Sequence, residues 1–269
     1  MGRILSILLV AVCCTAVASA QTAEELVEKN LQAKGGIDKI KAIHSYRASG
    51  KWQRGSLVAR VGEDATEPDL LRTTLTLQGM TAVRAYDGSI GWRISPFEGR
   101  KDPEQLGEDD LRDLVEDADF HGPLVDYQQK GHTVEYLGHD TVEGDDALRL
   151  KVTLKNGDIV YYYLDPDTYM EIRTERQQFI RGSVRETVTD LGSYKQVAGV
   201  YFPFSVESGP KGDPSSRSKT SFDKIEVNVI IDVAEFKMPG PPPVSSSQGH
   251  PEPAAKPEPK QPAKPTVPE

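Results

Sequence analysis

The chain has 269 residues, 41 acidic against 32 basic, and a formal net charge of −9 at neutral pH. Its basic residues are scattered among acidic ones and form no stripe, which argues against nucleic acid as a partner. Both of its cysteines, Cys13 and Cys14, lie in the first twenty residues, so the rest of the chain offers no disulfide, thiolate metal site or cysteine nucleophile.

Arg3, the apolar stretch from Ile4 to Val12 and the small-residue end Ala18-Ser19-Ala20 have the layout of a cleaved secretory signal. The mature chain is expected to begin at Gln21 after export, and losing Arg3 takes the charge from −9 to −10. Val12 precedes Cys13 and Cys13 precedes Cys14, so neither cysteine sits in a lipid-attachment pattern. No later stretch is long enough for a transmembrane segment.

Thr22 is predicted to cap a helix, with Glu25 completing a capping box, Leu26, Val27, Asn30 and Leu31 sharing one face, and Gly35-Gly36 ending it. A second short helix is expected over 37–43. Strands follow. Tyr46, Ala48, Gly50 and Trp52 alternate with Ser45, Arg47, Ser49, Lys51 and Gln53, a period of two that a helix cannot use. Similar alternation recurs in Leu71, Thr73, Leu75 and Leu77, in Leu148, Leu150, Val152 and Leu154, and in Val200, Phe202, Phe204 and Val206. The segment AVRAYDGSIGWRI reads as a hairpin turning at Asp87-Gly88, after which Ile90, Trp92 and Ile94 point to one face. Turn signals fall at Glu67-Pro68-Asp69, Gly144-Asp145, Asn156-Gly157-Asp158, Asp165-Pro166-Asp167, Gly182 and Gly209-Pro210. The connections are too short for parallel crossovers, so about ten or eleven strands are expected in one antiparallel meander.

One long interruption, PEQLGEDDLRDLVEDADFHGPLVDY, is expected to hold a helix from about Glu104 to Ala118. Leu111, Leu114, Val115 and Ala118 would share a face opposite Asp110, Asp113 and Asp117. That face, with Phe120 beyond it, is the expected lid over the sheet, and the acidic face is expected to be solvated. From residue 239 onward, eleven of the last 31 residues are proline, a composition that packs no core. The expected organisation is thus a signal over 1–20, one domain over 21–238 and a disordered Pro-rich tail over 239–269, with a wall-spanning arm or one that docks envelope proteins as the tail's sharper alternative.

None of the five histidines, His44, His121, His132, His139 and His250, has metal-ligand spacing. The acidic cluster from Glu108 to Asp119 lacks a calcium loop, and Asp165-Pro166-Asp167 reads as a turn. There is no nucleophile elbow, zinc helix, phosphate loop or dinucleotide fingerprint, hence no candidate catalytic residue, metal or cofactor. What remains is apolar. Tyr46, Trp52, Leu75, Leu77, Trp92, Ile94, Leu150, Val152, Phe202 and Phe204 are the expected wall of a ligand cavity, with Leu111, Leu114, Val115 and Phe120 as lid, and ordinary packed core is the alternative.

The opening AEELVEKNLQAKGGIDKIKAIHSYRASGKW, the YDGSIGW hairpin, YYYLDPDTYMEIR, GVYFPFSVES and the closing FDKIEVNVIIDVAEFKMP resemble bacterial outer-membrane lipoprotein-sorting proteins, the LolA/LolB-like periplasmic carrier superfamily. The resemblance implies a mainly β fold: a single curved antiparallel sheet forming an unclosed half-barrel, with helices over its concave apolar face. It also implies a non-enzymatic carrier or sensor whose partners are lipoprotein acyl chains or lipid. A basic switch residue on an early strand is part of that family's pattern, and none of Arg47, Arg54 or Arg60 matches it by motif. The rival function is a cell-envelope scaffold with a closed core that recruits partners through its tail.

Overall fold

The structure, a computed structural model, describes residues 21–240. The expected signal and nearly all of the Pro-rich tail lie outside the described residues. Helix α1 spans Ala23–Ala33 and starts with the expected capping box, the Thr22 hydroxyl accepting from the Glu25 N–H and the Glu25 carboxylate from the Thr22 N–H. Its end abuts the sheet: a Cβ on Gly35 would stand 2.3 Å from the Gly199 carbonyl oxygen, so only glycine permits this approach. Helix α2 is shorter than expected, Ile37–Lys41.

Thirteen strands then form one antiparallel sheet: β1 Ser45–Arg54, β2 Leu57–Thr66, β3 Leu70–Leu77, β4 Met80–Tyr86, β5 Gly91–Ser95, β6 Arg100–Gln105, β7 Thr133–Val142, β8 Asp145–Thr153, β9 Ile159–Leu164, β10 Glu171–Ile180, β11 Ser183–Val197, β12 Val200–Pro210 and β13 Ser218–Val227. Their order, β6-β5-β4-β3-β2-β1-β13-β12-β11-β10-β9-β8-β7, explains the architecture. The first six strands walk to one edge. Helix α3, Glu108–Ala118, begins the crossing to the far edge, and seven strands return until β13 pairs with β1 at the centre. The sheet stays unclosed, with β6 and β7 as its edges.

Strand β6 explains much of the difference from ten or eleven strands. Its sequence, Arg-Lys-Asp-Pro-Glu-Gln, has no apolar alternation and places Pro103 where an edge strand tolerates it, so Glu104 and Gln105 belong to a strand and α3 starts at Glu108. Gly209-Pro210 is no turn either. Those residues end β12, and the reversal follows at 211–217 around the 3-10 turn Pro214–Ser216.

Register assigns the faces. Tyr46, Ala65, Leu71, Tyr86 and Gly91 are successive cross-strand partners from β1 to β5 and share the concave face, whereas Ala85 pairs with Trp92 and Val83 with Ile94 on the convex one. Three separate cores fill parts of the concave side, one of them Ile40, Ile43, Val125 and Val200 at α2, which reaches Phe120 and Phe202. Under α1, Leu26 and Val27 pack with Leu148, Leu150, Val152, Val160 and Leu164, and under α3, Leu114 and Ala118 pack with Ala65, Leu71 and Leu106. Each fully buried aliphatic side chain here contributes roughly 1.5–3 kcal/mol. No described helix is long and apolar enough to cross a membrane.

Candidate binding cavity

Between the cores under α1 and α3 the centre of the concave face is not filled. A cavity of about 450 Å³ lies there, walled by Ala48, Val61, Leu71, Val206, Phe222 and Ile225 from the sheet and by Phe120 and Pro123 from the segment after α3. Phe120 meets Tyr46 edge-on, ring centroids 5.6 Å apart, and both rings line the space. The Tyr46 hydroxyl donates to the Glu63 carboxylate, which lines the space together with the polar residues Thr73, Glu116, Asp117, Asp119, Arg176 and Thr220. Burial pushes the Glu63 carboxyl above its ordinary value, Asp117 and Asp64 add to the rise, and the Tyr46 hydrogen bond opposes it. Burial, reinforced by Glu63, holds the Tyr46 phenol far above its ordinary range.

A second, polar chamber of about 380 Å³ adjoins it, lined by Tyr162, Thr174, Gln178, Arg185, Thr187, Thr189 and Ser208. Glu116, Asp117, Pro123 and Arg176 line both, so they form the partition between an apolar and a hydroxyl-rich compartment. Arg176 stands 3.1 Å from Glu116 and 3.2 Å from Asp117. Burial works against the Arg176 charge, but the two carboxylates outweigh it and raise its pKa. For Glu116, burial wins over Arg176 and lifts the carboxyl to about 7.

Helix α3 is held over the sheet largely by charge. Arg112 grips the Asp158 carboxylate through two guanidinium nitrogens, Asp113 accepts from Gln178 at 2.8 Å and from Arg185, and Asp109 pairs with Arg181 at 2.6 Å. The acidic side of α3 is therefore docked, not solvated as expected. A helical wheel could not show this, because Arg176, Arg181 and Arg185 come from β10, β11 and their connection, some 60–75 residues further on.

The structure divides the residues expected in the wall and lid. Tyr46 and Phe202 line the cavity, as does Phe120 of the lid. Trp52 shares the Tyr46 face through its pairing with Ala59, but it lies near the β1–β2 turn, half-buried, with the Arg54 guanidinium 5.2 Å from its ring. Leu75 and Leu77 continue the Leu71 face of β3, beyond Thr73, where the lining ends. Phe204 is buried with the Lys195 ammonium 4.3 Å over its ring. Three expectations are corrected. Trp92 and Ile94 lie on the convex face with Val83 and Ala85, and the Trp92 indole donates to the Phe236 carbonyl oxygen at 2.7 Å; strand alternation was right, but it could not say which face was concave. Leu150 and Val152 face the concave side yet are completely buried beneath α1, so they are closed core. In the lid Leu114 is buried and Leu111 half-buried, but Val115 is 41% exposed because α3 docks through Leu114, Ala118 and its acidic side.

Sequence reasoning missed Val61, Glu63, Phe222, Ile225 and Arg176. Val61 and Glu63 sit at alternate positions of β2, a strand whose Gly62 and Asp64 blur the apolar period, and Arg176 stands where a polar residue reads as solvent-facing.

An unclosed antiparallel half-barrel with a helix laid across its concave face defines the class of fold, and solved structures share it. The fold matches a LolA superfamily protein from Nitrosomonas europaea, with TM-score 0.54, 11% sequence identity, and 81% of this chain and 98% of that one covered. It also matches a DUF1329 family protein from Desulfovibrio piger, TM-score 0.51 at 12% identity over 81% of this chain and 98% of that one. A protein described as an outer-membrane lipoprotein-sorting domain, from Vibrio parahaemolyticus, gives 0.50 at 12% identity over 78% and 97%. The chain thus has the fold of LolA-superfamily and lipoprotein-sorting structures. No family model matches its sequence, and neither does any curated protein.

Proposed function

We propose that this chain is a non-enzymatic carrier or sensor of the periplasm, exported by a cleaved signal, that takes up the acyl chain of a lipoprotein or lipid. The observation that carries the reading is the cavity of about 450 Å³ at the centre of the concave face, a volume within the usual range of small-molecule sites. Its wall is mostly aliphatic and aromatic, so each methylene taken in gains about 0.8 kcal/mol. Glu63 and the adjoining hydroxyl-rich chamber offer hydrogen bonds to the polar end of such a ligand. A scaffold with a closed core is the weaker alternative, since the buried clusters under the helices leave the middle of the face unfilled. The test is calorimetric titration of the delipidated exported protein with a lauroylated peptide. Saturable heat that persists in high salt supports the reading, because apolar burial survives screening; absence of saturable binding for any acyl ligand rejects it.

A further inference from the structure

The antiparallel order sorts the strand connections to two opposite ends of the sheet. One end carries the β1–β2, β3–β4, β5–β6, β8–β9, β10–β11 and β12–β13 connections, and the other carries β2–β3, β4–β5, β7–β8, β9–β10 and β11–β12. The two ends differ in apolar exposure. At the first, Leu57, Val58, Met80, Phe97, Phe179 and Val184 all stand in the open, Phe179 at 65% and Val184 at 62%; at the second, Ile90 and Tyr201 are each below 40% exposed, and Ile230, just past the end of β13, is the single fully exposed one among the described residues.

Charge separates in the same sense. Taking each connection with one strand residue on either side, the first end carries six Arg or Lys against three acidic residues, one of which, Asp158, is buried against Arg112. The second carries eight acidic residues and no Arg or Lys in its own connections, with Lys34 paired to Glu171 and Lys39 beside Gly199 as the lysines that α1 and α2 bring to it. Cations sit beside the apolar tips: Arg54 next to Leu57-Val58, Arg100 and Lys101 after Phe97, and Arg181 between Phe179 and Val184. Arg181 remains 84% exposed despite its ion pair with Asp109.

Single exposed apolar side chains are ordinary. Six of them on the hairpin tips of one end, interleaved with cations, while acid predominates in the connections of the other, are not. From this segregation we infer that the Leu57/Phe97/Phe179 end of the sheet docks on an anionic lipid bilayer. The apolar tips stand on separate hairpins and do not make one groove, which suits a deformable planar surface better than a peptide or a folded partner. Apolar insertion and attraction of cations to acidic headgroups act together in such docking, and repulsion of the acidic end sets the orientation. The inference rests on the surface of the sheet and is independent of what the cavity binds.

The test is flotation of the exported protein with vesicles of phosphatidylcholine alone and of phosphatidylcholine containing about one-third phosphatidylglycerol, at low salt. Partitioning onto the anionic vesicles should exceed that onto the zwitterionic ones about tenfold and weaken as salt rises. Phe179→Asp/Val184→Asp and, separately, Leu57→Asp/Val58→Asp should each lower it at least about fivefold. Ile90→Asp, at the opposite end, should leave it unchanged. Unaltered far-UV signal and melting point establish that the variants are folded, as expected for substitutions at exposed tips. Equal partitioning onto both vesicle types overturns the inference, and so does full binding by both double variants or an equal loss in Ile90→Asp. Concentration-dependent self-association that the double variants abolish, without vesicle binding, would make this end an interface between copies and overturns it as well.

Discussion

The two halves of the concave face use the same device, an apolar sheet under a helix, with opposite outcomes. Over β7–β9, α1 lays Leu26 and Val27 directly on Leu148, Leu150 and Val152, and the space closes to a dry core. At the centre, α3 touches the sheet through Leu114 and Ala118 toward β3–β5, while its other side is held by Arg112, Arg176 and Arg185. Ion pairs need side-chain length between backbones, and that stand-off leaves the cavity. A helix that docks by aliphatic packing fills; one that docks partly by long charged side chains spans.

The largest expected effect comes from releasing the spanning helix. Asp158 is nearly inaccessible, its side chain 1% exposed, and Arg112→Ala strands its charge. Loss of one partner of a buried pair costs about 3–5 kcal/mol, so the urea midpoint should fall sharply; a drop below about 1 kcal/mol would mean that α3 is not anchored there. Next comes the closed half. Leu150→Ala should lower stability by about 2–5 kcal/mol through lost burial and a cavity, measured by urea denaturation, without affecting acyl-ligand affinity.

A pH scan separates the halves further. Folded Glu116 keeps its proton up to about pH 7, whereas its ordinary value is 4.5. Between these values the folded chain binds more protons than the unfolded one, so stability falls as pH rises through the window, by an amount of order 1–3 kcal/mol. Glu116→Gln should flatten that slope, which melting points from pH 4 to 8 will read. The smallest effect on folding belongs to the open half: Val206→Asn, on the cavity wall and half-buried, should cost below about 1 kcal/mol of stability yet weaken acyl binding about tenfold. Equal damage to both would make the wall a packed core.

Much of the fold was legible because it rests on local signals. The capping box at Thr22, the period-two run from Ser45 and the Asp87-Gly88 turn each dictate their own element, and the helix in mid-meander could only cross the face. Face assignment was not legible. Trp92 and Ile94 alternate as Leu71 does, but register across β3–β5 places them on the convex side under Phe236, a partner some 140 residues away. The cavity was half legible: Tyr46, Phe202 and Phe120 announce themselves as apolar, whereas Glu63 and Arg176 look like surface residues until the helix covers them.

The central claim is that the middle of the concave face is open to an acyl chain while the α1 side is shut. Photo-labelling tests it most directly, with a fatty acid carrying a diazirine near its methyl end and the adducts mapped by peptide mass spectrometry. The account predicts saturable labelling, competed by unlabelled fatty acid, confined to the β1, β2, β12 and β13 segments around Tyr46, Val61, Val206 and Phe222 and to the Phe120 segment. Labelling centred on Leu150 and Val152, on the convex residues Trp92 and Ile94, or spread without saturation over the whole chain would contradict it.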